Sequence, residues 1–420
     1  MTGSALLWYI FGGEDHMDAH LNRRQWLKRS AAAAAGWIAA SKSATGWTDV
    51  WTGRHFRENS EPEKTIRLNN NESHFGMSEA AREAIIDTVD GCGDYPDDHY
   101  PELKELIAAR ENLQPENIIL GAGSIEIITA ALHIYMAQGG ALVSAPTYFD
   151  FADYAEKAGC PLHRIALTNR HELDLEAMEK KTGAGVGLVY LCNPQNPTGA
   201  ITPRARLEPF CRKASRKALV VLDEAYHDYA EDPLYSSMAG LVRDGENVLV
   251  TRTFSKIYGM AGLRVGYGMA RPDIIKSLLR MERNFAPVSS LSLRAAVAAY
   301  QDEEFVRKVR RQNQEVKSYA GQELRRLGYS FIPSHTNFII FKVQQDSQEL
   351  AKKLEHRSFL VRAFKFGAAN WIRVSLGTPA EMRVFIAILK DLDGAEERAN
   401  DGEKIEVCQL PDLLAESPHS

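Results

Sequence analysis

Lys256 follows a β-rich run and has Ser255 before it and Arg264 eight residues after it. An amine, a hydroxyl and a guanidinium at that spacing could gather around a small anionic cofactor, and Gly259, Gly262 and Gly266 permit close backbone approach. Thirty-three residues earlier, Asp223 ends the apolar run of Val221-Leu222-Asp223-Glu224-Ala225-Tyr226. Ligands of an open α/β sheet collect at the carboxyl ends of its strands, which places Asp223 toward a site. Alone, it reads better as a helix cap.

Three further segments carry polar groups after apolar runs. Cys192-Asn193-Pro194-Gln195-Asn196-Pro197-Thr198-Gly199 is a turn on its Pro and Gly content alone. Asn196 precedes Asp223 by 27 residues, enough for one crossover helix between consecutive parallel strands. Leu120-Gly121-Ala122-Gly123-Ser124-Ile125-Glu126 opens a periodic helix through Met136, and such a turn offers free N–H groups and a positive dipole end to an anion. Tyr148, in Pro146-Thr147-Tyr148, is either an aromatic that stacks on a ring or a plain core or surface residue. Arg373 sits in a β-rich run, Ile372-Arg373-Val374-Ser375, and needs a partner: a substrate carboxylate held in a bidentate fork, or a nearby Asp or Glu. Arg362 is a second cation in the same C-terminal part.

The segment from Ser255 to Gly266 resembles the Schiff-base segment of class I and II pyridoxal-phosphate aminotransferases. Within that family, residues 64–395 are most similar to the histidinol-phosphate aminotransferase subgroup, through Ile66 to Glu72, Tyr95-Pro96-Asp97, Gly121 to Glu126, Asn193 to Gly199, Asp223 to Tyr226 and Arg373. The resemblance implies fold type I: an α/β large domain with a mostly parallel sheet flanked by helices, plus a smaller α+β domain. It implies that Lys256 holds pyridoxal 5'-phosphate, that Asp223 keeps the pyridine nitrogen protonated, and that Asn196 and Tyr226 meet the phenolate oxygen. Ser124, Ile125, Ser255 and Arg264 would hold the phosphate, and Tyr148 would stack on the ring. Tyr95 would reach the cofactor phosphate of a second subunit, giving a homodimer with shared sites. Arg373, Arg362, Asn71 and Phe75 would face the substrate.

The implied reaction is ping-pong transfer of an amino group from an amino acid, or a histidinol-phosphate-like amine, to a 2-oxo acid. Decarboxylation, elimination or racemisation on the same fold, or a non-enzymatic cofactor-binding module, are the alternatives. Two departures bear on substrate. The subgroup's N-E-N-P-Y-G is here Asn71-Glu72-Ser73-His74-Phe75-Gly76, so a tyrosine hydroxyl is missing at Phe75, which argues against a phosphorylated substrate. Ile125 stands where the G-S-D-E stretch has an acid.

The elements that must position these groups alternate strand and helix, as in an α/β domain with a mostly parallel sheet. Strands are expected at 141–144, 163–166, 186–191, 218–222, 247–251 and 265–269, then at 337–343, 359–364 and 371–376. A long charged helix is expected from Leu291 to Leu327 and another from Ser347 to Arg357. The expected domains are a leader (1–45), an N-terminal arm (46–92), a large cofactor domain (93–288), a small domain (289–395) and a flexible acidic tail (396–420).

Composition excludes several classes. Among 420 residues, 25% are charged and the net charge is -5, so no general pull toward nucleic acid exists. The five cysteines form no C-x-x-C pair or zinc spacing, and no metal site is expected. No apolar run reaches the roughly 20 residues of a membrane helix. Asn22-Arg23-Arg24-Gln25-Trp26-Leu27-Lys28, followed by the Ala-rich stretch Ala31 to Ala40, resembles a twin-arginine export signal and suits start of translation at Met17; a basic amphipathic helix is the alternative.

Overall fold

Apolar residues at successive positions of the central runs are explained by burial on both faces, since neighbouring side chains of a strand point to opposite sides. In the computed structural model, residues 65–96, 99–281 and 287–400 are described, and all belong to the second of two units, beginning at Thr65. In chain order the strands are β1 (Ile66–Arg67), β2 (Ile118–Gly121), β3 (Gly140–Ala145), β4 (Leu162–Ala166), β5 (Val186–Cys192) and β6 (Leu219–Asp223). They continue as β7 (Val248–Thr253), β8 (Gly266–Ala270), β9 (Phe338–Val343), β10 (Phe359–Leu360), β11 (Arg362–Phe366) and β12 (Ala369–Ser375). The expected twin-arginine segment and leader lie outside the described residues.

Seven strands form one sheet in the order β2-β8-β7-β6-β5-β3-β4. Pairing is parallel from β7 through β6, β5 and β3 to β4, whereas β8 runs antiparallel to both β7 and β2. Along β5, Leu188, Tyr190 and Cys192 enter one core, while Val189 and Leu191 enter the other. Each fully buried Leu or Val contributes about 1.5–3 kcal/mol through the apolar surface it removes from water. A second sheet, β11-β12-β9, is antiparallel and packs Ile339, Phe341, Ile372 and Val374 against the helix Pro379–Asn400. This is the fold-type I arrangement of a mostly parallel sheet with a smaller α+β part.

The structure differs from the sequence expectation at four places. The stretch from Leu291 to Leu327 is two helices, Ser290–Gln301 and Glu303–Arg326, because Asp302 leaves helical geometry and its side chain accepts the Phe305 N–H at 2.9 Å. The first of these helices gives Leu293, Ala296 and Tyr300 to the large-sheet core, although the smaller domain is expected to begin at 289. Residues 359–364 split between two sheets: β10 pairs with β1, and β11 turns back into a hairpin with β12. The last helix runs to Asn400, past the expected start of the tail. Among the described residues, no helix is long and apolar enough to cross a membrane.

Candidate active site

The carboxyl ends of β3, β5, β6 and β7 open on one cavity of about 390 Å³. It is lined by Ser124, Ile125, Tyr148, Asn196, Asp223, Tyr226, Ser255, Lys256, Arg264, Arg362 and Arg373, together with Asn71. Twelve of the fourteen residues expected from sequence are therefore brought together.

Lys256 rises from the turn after β7, and its Nζ donates to the backbone oxygens of Asn70 and Asn71, each at 3.1 Å. Those oxygens belong to a strap, residues 67–77, of which Asn70, Asn71 and Glu72 line the cavity. Asn71 sits at a positive φ of 56° and is tied on three sides. Its N–H donates to Ser375 Oγ (2.9 Å), its Nδ2 to the Tyr226 hydroxyl (2.8 Å), and its carbonyl accepts from Asn337 Nδ2 (3.0 Å). Burial disfavours the Lys256 ammonium and Arg373 adds repulsion, so its pKa falls to about 8 despite Glu72 and Asp223.

Asp223, buried at the end of β6, accepts the Tyr190 hydroxyl at 2.6 Å and the Ala225 N–H at 3.1 Å. Burial lifts its pKa above the usual carboxylate value; the two donors and the Lys256 charge pull the other way. The Tyr226 hydroxyl also meets Asn196 Nδ2 at 3.5 Å, while Asn196 Oδ1 accepts from Arg373 Nη1 at 2.7 Å. Arg373 Nη2 donates to the Asn69 carbonyl at 2.7 Å, but its buried Nε has no partner among the described residues. The guanidinium lies 5.3 Å from the Phe338 ring centroid and 5.5 Å from that of Phe364, and burial lowers its pKa to about 10.

On the opposite wall, the helix Ser124–Tyr135 begins beside Ser255 and Arg264. Glu126 accepts the Ala122 N–H at 2.6 Å and shapes the turn before it. Arg264 holds a left-handed φ of 55°, with Nη1 donating to Ser255 Oγ (3.2 Å) and Ala261 O (3.0 Å) and Nη2 to Ala122 O (3.3 Å). At Gly123, where φ is 82°, a Cβ would collide with the Arg264 guanidinium, and one at Gly266 would collide with the Ser124 backbone nitrogen. The first N–H groups of a helix, two hydroxyls and a guanidinium thus converge on a glycine-walled cup suited to a phosphate. Across the cavity stand an amine and a buried carboxylate. This donor set fits pyridoxal phosphate.

Two expected residues lie elsewhere. Phe75 is outside the cavity lining, packed partly buried against the cores of both sheets. Tyr95 is 82% exposed and also away from this cavity. Arg362 lines the mouth, with its guanidinium 5.6 Å from the Phe149 ring centroid. Sequence reasoning missed Glu72 and Asp150 in the lining and Tyr190 behind Asp223. Tyr190 carried a signal: a tyrosine in a continuous apolar strand needs a partner for its hydroxyl.

Residues 63–389 match the model of the family described as aminotransferase class I and II. A histidinol-phosphate aminotransferase of Moorella thermoacetica is 39% identical over 331 residues, covering 78% of this chain and 85% of that protein. A second, from Carboxydothermus hydrogenoformans, is 38% identical over 77% of this chain and 90% of its own length. The crystal structure of the Sinorhizobium meliloti histidinol-phosphate aminotransferase in complex with pyridoxal-5'-phosphate superposes with a TM-score of 0.72 at 27% identity, covering 78% of this chain and 92% of that one.

Proposed function

This chain belongs to the aminotransferase class I and II family and is a pyridoxal-phosphate-dependent aminotransferase; on that premise we propose that Lys256 is its cofactor lysine and that Arg373 receives the substrate's carboxylate. The observation that carries the lysine assignment is the Lys256 amine in one cavity with Asp223 and the Ser124–Arg264 cup. When bound, the cofactor supplies an electron sink for the charge left at the substrate Cα.

The chain's own groups divide the remaining work. Ser124, Ile125, Ser255 and Arg264 hold the phosphate, Tyr148 covers the ring, and Asp223 holds a proton at the pyridine nitrogen. Tyr226 and Asn196 meet the phenolate oxygen. Lys256 moves the proton at the substrate Cα, a role served by a pKa near 8, since a base works best when its pKa lies close to the working pH. While the lysine is free, the Asn70 and Asn71 oxygens keep its amine inside the cavity. Arg373 is prepared for a carboxylate because its Nε is buried without a partner among the described residues. Arg362 and Asp150 at the mouth face the distal part of the donor, and Asn71 borders it.

The amino donor is an amino acid or a histidinol-phosphate-like amine, and the acceptor a 2-oxo acid. Glutamate formed from 2-oxoglutarate, measured across a panel of donors that includes histidinol phosphate, tests this reading; no glutamate with any donor refutes it. We assign a homodimer in which Tyr95 reaches the neighbouring site, a view supported by its exposure. Sedimentation that yields only monomer would remove it. The arginine pair Arg23-Arg24 and the Ala-rich stretch after it support export by the twin-arginine route, tested by whether Arg23→Lys with Arg24→Lys retains the protein inside the cell.

A further inference from the structure

His74 stands where the N-E-N-P-Y-G pattern has proline, a residue that could form neither of the bonds its ring makes here. Nδ1 lies 2.9 Å from Glu381 Oε2 and Nε2 lies 3.1 Å from the Arg67 carbonyl oxygen. Both partners are acceptors. A neutral imidazole has one N–H and would leave a lone pair facing one of them, whereas the imidazolium donates to both. Glu381 is itself fixed in the first turn of the helix Pro379–Asn400, where Oε2 accepts the Thr378 N–H at 2.7 Å. The charged groups facing the ring are Glu381 from that helix and, from the strap, Glu72, which pairs with Arg67 at 3.1 Å.

The strap that carries His74 supplies the two oxygens that hold Lys256 and the amide that meets Tyr226. At its far end the Gly76 carbonyl packs so closely on Gly259 that any Cβ there would overlap it. The strap is thus pressed on the Lys256 turn at one point and tied to the last helix at another, and the His74 ring makes the second tie. We propose that His74 is a positioning residue for Lys256: as an imidazolium bridging Glu381 and the Arg67 carbonyl, it fixes the strap whose oxygens hold the lysine, and its deprotonation loosens that hold.

Burial alone would lower the ring's pKa, but Glu381, the Arg67 carbonyl and Glu72 outweigh it and leave the pKa raised. The bridge is therefore complete below the ordinary value of about 6.5 and is lost as pH rises through the higher folded value. The inference rests on the reading of Lys256 as the cofactor lysine.

The test uses holoenzyme. The His74 ring is titrated by NMR, and exchange of strap amides, Asn71 foremost, is followed across pH after correction for intrinsic exchange. The expected result is a midpoint above about 6.5 that falls by about one unit in Glu381→Gln, with strap exchange accelerating about tenfold through the midpoint. In His74→Gln that acceleration is absent. The pH at which Lys256 begins to remove the donor's Cα proton should also fall by about half a unit in this variant, because a loosened strap no longer stabilises the ammonium. A His74 midpoint at or below about 6.5, strap exchange with the same pH dependence in wild type and His74→Gln, or an unmoved Cα-proton profile would each overturn the proposal. The ring and amide measurements involve no turnover, whereas the lysine reading fails on the cofactor absorbance of Lys256→Ala, so the two readings fail separately.

Discussion

The Tyr190 hydroxyl donates to Asp223 Oδ2 at 2.6 Å, so the carboxylate that ends β6 is oriented from within the core by the adjacent strand β5. Tyr190 is fully buried and stacks on Phe151 at 4.0 Å between centroids. Removing it with Tyr190→Phe leaves a buried carboxylate short of one donor, at a cost of about 1–3 kcal/mol. The Asp223 pKa, already raised by burial, rises further. The acid limb of kcat/KM should therefore move to higher pH, by about one unit for each 1.4 kcal/mol lost. An acid limb identical to wild type would mean that Asp223 is held by other contacts.

Lys256 has a pKa lowered to about 8, so in cofactor-free protein its free amine appears as pH rises through that value. Acylation of Lys256, followed by mass spectrometry, should be half-maximal there, more than about two units below an ordinary lysine. Lys256→Ala should abolish the visible absorbance of bound cofactor and reduce activity by at least about a hundredfold. An unchanged absorbance near neutral pH would refute the assignment.

Arg373→Lys retains a charge but loses the fork that reaches Asn196 and Asn69 and is proposed to take the carboxylate. KM for the donor should rise by about tenfold to a hundredfold, as expected for about 1.5–3 kcal/mol of charge-assisted hydrogen bonding, with cofactor absorbance preserved. A KM within twofold of wild type would place the carboxylate elsewhere.

Behind the site, Arg252 donates to Glu111 at 2.7 Å, Ser237 at 2.7 Å and, at 3.0 Å, Glu224, the sequence neighbour of Asp223. Arg252→Met would leave the buried Glu224 and the part-buried Glu111 without their cation and should lower stability by about 3–5 kcal/mol, read as a lower urea midpoint. Unaltered unfolding would show that solvent reaches the acids.

Legibility followed from how local each constraint is. Lys256, Asp223, Asn196 and Ser124 are each marked by their own neighbours, an apolar run ending in a polar turn, and all four line the cavity. Strand cores were legible for the same reason, since burial on both faces writes continuous apolar runs. β2 was not, because four residues followed at once by a glycine turn read as the start of the next helix. The break at Asp302 was hidden because charge runs on both sides of a cap look like one solvated face. The motif position of Phe75 points to the site, but whether a side chain faces a cavity or a core is decided by packing between distant segments. The same is true of Tyr190, His74 and Asp150.

The hydrogen bond from the Asn71 N–H to Ser375 Oγ joins residues 304 positions apart. During synthesis, the strap that holds Lys256 therefore lacks its anchor until β12 has left the ribosome, when most of the chain is already made. A chain cut short before Arg373 can form much of the large sheet, yet it has neither that arginine nor the Ser375 anchor of the strap. With Arg373 as the proposed carboxylate partner, competence to bind an amino donor waits until synthesis is nearly complete.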